Sequence, residues 1–297
     1  PRMLLVGGAF FIGLFGTLMA LFAGKAIHGS IHTVDEAENL LKLPVWAAIP
    51  AAGSSGDKKL PHIAAEAPES FCSESFRTLR TTASIVAPKK EKRVMLFTSA
   101  DPAEGKTFCS LNYAICQAQE GRRTLLIDLD LRKPSVGASL ELDSKTPGVT
   151  DYILKNKPLN DLVRPTAYPN LFVLCAGSRV ANPAEQLAKA CLSNLIGEAT
   201  AQFDRVVIDT APINAVSDTL LILPFVDQVC LVVKSGKTPH RAVKRAVDVM
   251  TRANVEPSGI VLNYLPQTSG RGYYYYYAPH YEYGPRNGSK PKALLRS

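Results

Sequence analysis

The 297-residue chain has six cysteines, yet no two of them are spaced C-x-x-C. That removes the paired ligands of a zinc site and offers no disulfide framework, so a reducing compartment is expected. Charge is missing altogether from residues 3–23, an apolar run long enough to cross a bilayer as one helix. No clear A-x-A cleavage site follows it, which argues against a secretory signal. Arg2, Lys25 and His28 flank the run with too little bias to orient it. Long internal repeats are also absent, and so is an initiating Met, since the sequence opens on Pro1 and reads as a piece with more chain upstream. Acids are in deficit, leaving a formal net charge of +8. Half of that excess lies beyond Gln267, where Arg271, Arg286, Lys290, Lys292 and Arg296 face Glu282 alone. Such a tail fits anionic lipid head groups or another polyanion, or is simply solvated; no nucleic acid is expected.

What is present reads as four parts: a membrane helix with its flanks (1–28), a juxtamembrane connector (29–68), a main domain (69–266) and a basic, tyrosine-rich tail (267–297). Within the connector, Thr33 and Glu36 have the form of a capping box, predicting a helix to about Lys42. Residues 44–49 form a short apolar run that fits a strand, and 50–68, rich in Ala, Gly, Ser and Pro, reads as a linker. From Glu69 onward the pattern alternates. Helices are expected over 69–86, from the phosphate loop to Gln119, from Asn182 and from Thr238. Continuous apolar strands are expected at 94–98, 124–127, 171–174, 205–208, 228–233 and 259–262. Strand and helix in alternation imply an α/β fold, a parallel sheet covered on both faces. Ligands of such sheets lie at the carboxyl ends of the strands.

One of those ends carries A-D-P-A-E-G-K-T, residues 100–107, between an apolar strand and a helix. This is the context of a P-loop. Ala103, Glu104, Gly105, Lys106, Thr107 and Phe108 are expected around a bound nucleotide. Gly105 lets the backbone approach the phosphates, Lys106 reaches the β- and γ-phosphates, and the Thr107 hydroxyl ligates Mg²⁺. Two further strands end in acid. Asp128 and Asp130 follow L-L-I, and Asp209 follows R-V-V-I. All three should gather at the same edge, where Mg²⁺ needs oxygen ligands. Asp209 is expected as the outer partner of the metal. Asp128 and Asp130 divide metal positioning from proton acceptance, in an order the sequence leaves open. Arg132 and Lys133 either stabilise charge on a transferred phosphoryl group or are solvated.

Seven of the eleven tyrosines fall at Tyr273, Tyr274, Tyr275, Tyr276, Tyr277, Tyr281 and Tyr283. A packed core would not concentrate them beside Gly, Pro and His at a chain end. A row of phenols suits phosphate acceptance, with an aromatic adhesive or interface patch as the rival. About ten residues separate the last strand from them, a span on the order of 17–20 Å, enough to reach a site at the sheet edge.

At these residues the chain resembles the bacterial tyrosine kinases (BY-kinases) of capsule and exopolysaccharide export. The Walker A loop, the D-x-D-x-R motif at Asp128, Asp130 and Arg132, the Walker B strand and the terminal tyrosine cluster occur in that family's order. The resemblance runs from Glu69 to Tyr283 and extends upstream to the span and connector. It implies a P-loop NTPase-like fold and ATP-dependent tyrosine autophosphorylation with Mg²⁺, passed between subunits. It further implies a kinase domain on the cytoplasmic side of the bacterial inner membrane, and control of polysaccharide polymerisation and export opposed by a tyrosine phosphatase. A periplasmic chain-length-control domain and a first span would precede Pro1. The resemblance assigns Glu74, Arg77 and Arg80, an E-x-x-R-x-x-R helix, to assembly of a ring; spacing alone would read Glu74 and Arg77 as an internal pair. Related MinD and ParA ATPases carry an extra lysine early in the loop, and none lies between Ala100 and Glu104. An ATPase switch that modifies no protein, or a non-catalytic membrane scaffold, are the competing readings.

Overall fold

The computed structural model describes residues 13–17, 29–51, 61–86, 93–180, 182, 185 and 192–266. Its eight strands are β1 (Val45–Pro50), β2 (Val94–Ser99), β3 (Thr124–Asp128), β4 (Arg164–Pro165), β5 (Leu171–Leu174), β6 (Arg205–Asp209), β7 (Gln228–Lys234) and β8 (Gly259–Leu265). They form one sheet in the order β1-β8-β7-β2-β6-β3-β5-β4. Every neighbouring pair is parallel except the short β4–β5 pair at one edge. The apolar strands of the sequence are therefore strands, and their lack of alternation has the expected cause. Val94 and Leu96 pack on one face of β2 while Met95 and Phe97 pack on the other. Burying each such side chain stabilises the fold by roughly 1.5–3 kcal/mol.

Helices cover both faces. On one lie α1 (Val34–Leu41), α8 (Leu192–Gln202) and α10 (His240–Arg252); on the other lie α2 (Ile63–Glu66), α3 (Phe71–Ile85) and α4 (Lys106–Gln119). Short helices α5 (Val136–Ser139), α6 (Val149–Lys155), α7 (Leu159–Leu162) and α9 (Asp218–Ile222) occupy the connections. Thr33 caps α1 by accepting from the Glu36 amide at 3.2 Å, and the Glu36 carboxylate accepts from the His32 amide at 2.8 Å. The helix expected from Asn182 lies mostly outside the described residues.

The connector is more than a link to the sheet. Its strand β1 pairs with β8 as the edge of the same sheet, so the sheet draws residues from both sides of the boundary expected at 68/69. Trp46 is buried there over Gly259, where any Cβ would run into the indole. Among the described residues no helix is long and apolar enough to cross a membrane. Of the apolar run at 3–23, residues 13–17 are described, as one helical stretch, and the rest lies outside.

Candidate active site

β2 delivers the chain into the phosphate loop, and α4 leaves it with Gly105 as N-cap. Gly105 has φ +91°, and a Cβ there would collide with the Asn263 amide, so glycine is demanded twice over. The loop is fastened by the neighbouring strands. Asn263 of β8 donates its side-chain N–H to Glu104 O at 2.9 Å, and Lys234 of β7 donates to Ala103 O at 3.3 Å. The Glu104 carboxylate points inward. It accepts from the Asp101 amide at 3.1 Å and from the Thr238 hydroxyl, and burial pushes its pKa up to about 7.

Of the three strand-end acids that the sequence places at this edge, Asp130 and Asp209 meet the loop. Asp209 Oδ2 accepts from the Thr107 hydroxyl at 2.6 Å and lies 3.6 Å from Lys106 Nζ. Asp130 Oδ2 meets the same ammonium at 2.9 Å. Burial works against the charge of Lys106, but Asp209 and Asp130 outweigh it and hold the ammonium above its ordinary range. Asp128 stands apart. Its Oδ1 accepts from the Asp130 amide at 3.1 Å, and its Oδ2 accepts from the amides of Ser135 and Val136 at 3.1 and 3.0 Å. It organises the turn after β3 and does not line the cavity. Burial raises the pKa of both Asp128 and Asp209, with Asp209 adding to the rise at Asp128.

In front of the loop is a cavity of about 340 Å³, lined by Gly105, Lys106, Thr107, Asp130, Arg132 and Pro212 among others. Arg132 reaches it while gripping Asp218 of α9 in two bonds, of 2.6 and 3.1 Å. It is therefore a tethered cation, neither free in solvent nor, in this state, free to swing. Phe108 lines the cavity and stacks edge-on against Phe76 of α3, centroids 5.5 Å apart. Sequence reasoning missed Asp218, Thr238 and Asn263, which come from distant parts of the chain with no local motif. It also missed Ser135, whose hydroxyl lies 2.8 Å from that of Thr107.

The E-x-x-R-x-x-R helix is α3. Arg77 pairs with Glu74 at 2.8 Å and donates to Pro68 O. Arg80 instead binds the end of α4, donating to Cys116 O at 3.1 Å and pairing with Glu120 at 3.1 Å. The tail tyrosines, Tyr273 to Tyr283, lie outside the described residues.

Residues 94–253 match a family described as an AAA domain. The chain is 36% identical over 214 residues to the tyrosine-protein kinase YwqD of Bacillus subtilis (strain 168), covering 71% of this chain and 90% of that one. It is 30% identical over 278 residues to the tyrosine-protein kinase ptk of Acinetobacter johnsonii, covering 91% of this chain but only 38% of that relative's length. The solved kinase domain of the Escherichia coli tyrosine kinase ETK aligns with a TM-score of 0.73 at 26% identity, over 80% of this chain and 94% of that one. The chain belongs to the bacterial tyrosine-protein kinases. As a member, this kinase takes ATP and Mg²⁺, and its residues fit them. Two buried carboxylates, Asp130 and Asp209, meet one ammonium and the buried Asp128 lies behind them, an excess of negative charge suited to a divalent cation. Asp209 Oδ1 is buried without a hydrogen-bond partner. The Thr107 hydroxyl and Asp209 would hold the metal, and Lys106 with the loop amides would hold the phosphates.

Proposed function

We propose that this kinase is a membrane-anchored autokinase that phosphorylates the tyrosines at 273–283, passing phosphate between subunits. The observation that carries the reading is the junction of Lys106, Thr107 and Asp130, which line one cavity, with the buried Asp209 that meets Lys106 and Thr107 from behind. Bound ATP supplies the phosphoryl group, and Mg²⁺ neutralises its charge. The chain's own residues do the rest. Lys106 leaves Asp130 to meet the phosphates, which frees Asp130 Oδ2 in the cavity. Asp130 is then the base for the incoming phenol, whose ordinary pKa near 10 leaves it protonated at neutral pH. Asp128, with both oxygens committed to backbone amides, positions Asp130 rather than touching substrate. Arg132, held by Asp218, steadies developing charge.

The wider assignments rest on the family resemblance and on the apolar run. Residues 3–23 anchor the chain in the bacterial inner membrane with the kinase on the cytoplasmic side. Glu74, Arg77 and Arg80 carry ring contacts. The phosphorylation cycle, reversed by a tyrosine phosphatase, regulates the polymerisation and export of exopolysaccharide or capsule. The direct experiment is incubation of the full chain with ATP·Mg²⁺ beside a Lys106→Met control, with phosphate mapped by mass. Phosphate on Tyr273–Tyr283 in the parent alone is expected. ATP turnover with an unmodified tail would defeat the reading and select an ATPase switch.

A further inference from the structure

The exposed face of α10 carries cations that the fold does not use. Lys237 precedes the helix, and Arg241, Lys244 and Arg245 occupy its first two turns. All four are exposed, and among the described residues none has an ion pair or a side-chain hydrogen bond. Arg241 lies three and four residues before Lys244 and Arg245, so these like charges share a face and repel. They also sit at the positive end of the helix dipole, where the first turn carries no acid and no side chain caps the terminus. Asp248 follows on the same helix but ion-pairs with neither neighbour. The acids of α1, which packs against α10, do not neutralise the row. Glu36 is taken by His240 at 2.7 Å and Glu38 accepts from the Val45 amide, while Asp35 is exposed. Each feature is unfavourable in the isolated fold, and an anion supplied from outside reverses the sign of all of them.

The position of the row favours one anion. α10 begins beyond the carboxyl end of β7, the edge at which the adjacent parallel strand β8 ends and the tail departs. Lys234 Nζ lies 4.0 Å above the ring of Tyr264, a cation–π contact that joins the two strand ends. Six residues lie between Pro266 and Tyr273, so the seven steps from one to the other span up to about 25 Å when extended. The first two turns of α10 rise about 11 Å, well within that reach. The unmodified tail is itself basic and is repelled by the row. Each phosphotyrosine adds about −1.5 to −2 charges, so modification converts repulsion into attraction.

We propose that the phosphorylated tail, residues 273–283, docks on the basic face of α10 formed by Lys237, Arg241, Lys244 and Arg245. This rests on the tail phosphorylation proposed above. The two arginines grip phosphate in paired hydrogen bonds and the lysines act as point charges. A docked tail is held off the catalytic cavity, which stays open to the next unmodified acceptor.

The test supplies the phosphate ready-made, so it does not depend on self-phosphorylation. The full chain in detergent, stripped with a phosphatase and kept without ATP, is titrated into a fluorescent 267–285 peptide. One peptide carries phosphotyrosine at positions 273, 275 and 277, and its twin is unmodified. Fluorescence anisotropy should show the phosphopeptide binding at least tenfold more tightly than the twin. R241E/K244E should weaken that binding tenfold or more, the milder R241Q/K244Q about threefold, and the distant R252E less than twofold. Unchanged nucleotide binding by each variant shows that it is folded. Phosphopeptide affinity that ignores the Arg241 and Lys244 changes overturns the proposal, as does equal binding of the two peptides. Phosphatidylserine vesicles form the other arm. If they engage Arg241 and Lys244 and the phosphopeptide does not, the face serves the membrane and the proposal fails.

Discussion

Asp130, in the turn after β3, and Asp209, at the end of β6, meet one ammonium, and their surroundings assign them different work. Asp209 is fully buried, holds the Thr107 hydroxyl and keeps one oxygen without a partner, the arrangement of a metal-positioning group. Asp209→Asn should raise the Mg²⁺ needed for half-maximal autophosphorylation on the order of 10–100-fold. Asp130→Asn should leave the Mg²⁺ requirement in place and lower the rate on the order of 10²–10⁴-fold, the worth of a general base. A Mg²⁺ titration of each variant separates the two, and matching curves would dissolve the distinction. Glu104 supplies a pH prediction. Its folded pKa, about 7, lies above its ordinary value of 4.5, so the native state holds the proton more tightly than the unfolded chain does. Its stabilising effect is complete below about 4.5 and is lost as pH rises towards 7. Glu104→Gln should therefore flatten the fall in Tm between pH 5 and 7.5, with the variant more stable than the parent at the upper end. Asp128, raised by the same burial, keeps some slope in both proteins. The acids themselves were legible as strand-end carboxylates. Which of Asp128 and Asp130 faces the cavity was not, because two residues of local sequence place both at one edge and only the turn through Ser135 decides.

The three charged residues of α3 look equivalent in sequence, spaced by three, but the helix uses them differently. Arg77 is tied to Glu74 of its own helix and to Pro68 O just before it, and both charged side chains are partly exposed. Arg80 crosses to α4 and stabilises its carboxyl end, where unpaired carbonyls favour a cation. Arg80→Ala should lower stability by about 1 kcal/mol, a fall in Tm of roughly 2–4 °C. Arg77→Ala should leave Tm within about 1 °C, since an exposed i,i+3 pair contributes only a few tenths of a kcal/mol. Sizing columns then test the ring contact cleanly. A smaller assembly from Arg77→Ala with unchanged Tm supports it, and an unchanged assembly counts against it. Long elements such as α3, α4 and α10 were readable from apolar spacing and start signals. Helices of four residues, such as α5 and α7, contain too little periodicity to be seen, and their positions are set by what they pack on.

Across the whole molecule the connector closes the sheet. β1 covers the free edge of β8, and Trp46 seals it over Gly259. An uncovered parallel edge would present unpaired backbone groups to other chains. Since the chain has one tryptophan, its fluorescence reports this seal alone. Gly259→Ala should shift the emission to longer wavelength and lower Tm by several degrees, because the indole has nowhere to retreat. Unshifted emission would show that the edge accommodates a methyl group. The same connector is stitched to the loop before α10: Ile31 donates to Thr238 O at 3.3 Å and His240 donates to Gly29 O at 2.9 Å. Thr238 in turn holds Glu104 in the phosphate loop. The sequence by itself determined the α/β class, every strand but the two-residue β4, the phosphate loop and the acids that meet it, because those signals are local: continuous apolar runs, a glycine-lysine-threonine turn, carboxylates at strand ends. Only the tertiary structure decided that the connector supplies an edge strand, that Asp218 tethers Arg132, that Asn263 and Thr238 fasten the loop, and that α10 carries an unspent row of cations. Those facts depend on strand order and on contacts between residues some 85 to more than 200 positions apart, and pairing at that range is set by the packing of the whole sheet rather than by any stretch of its sequence.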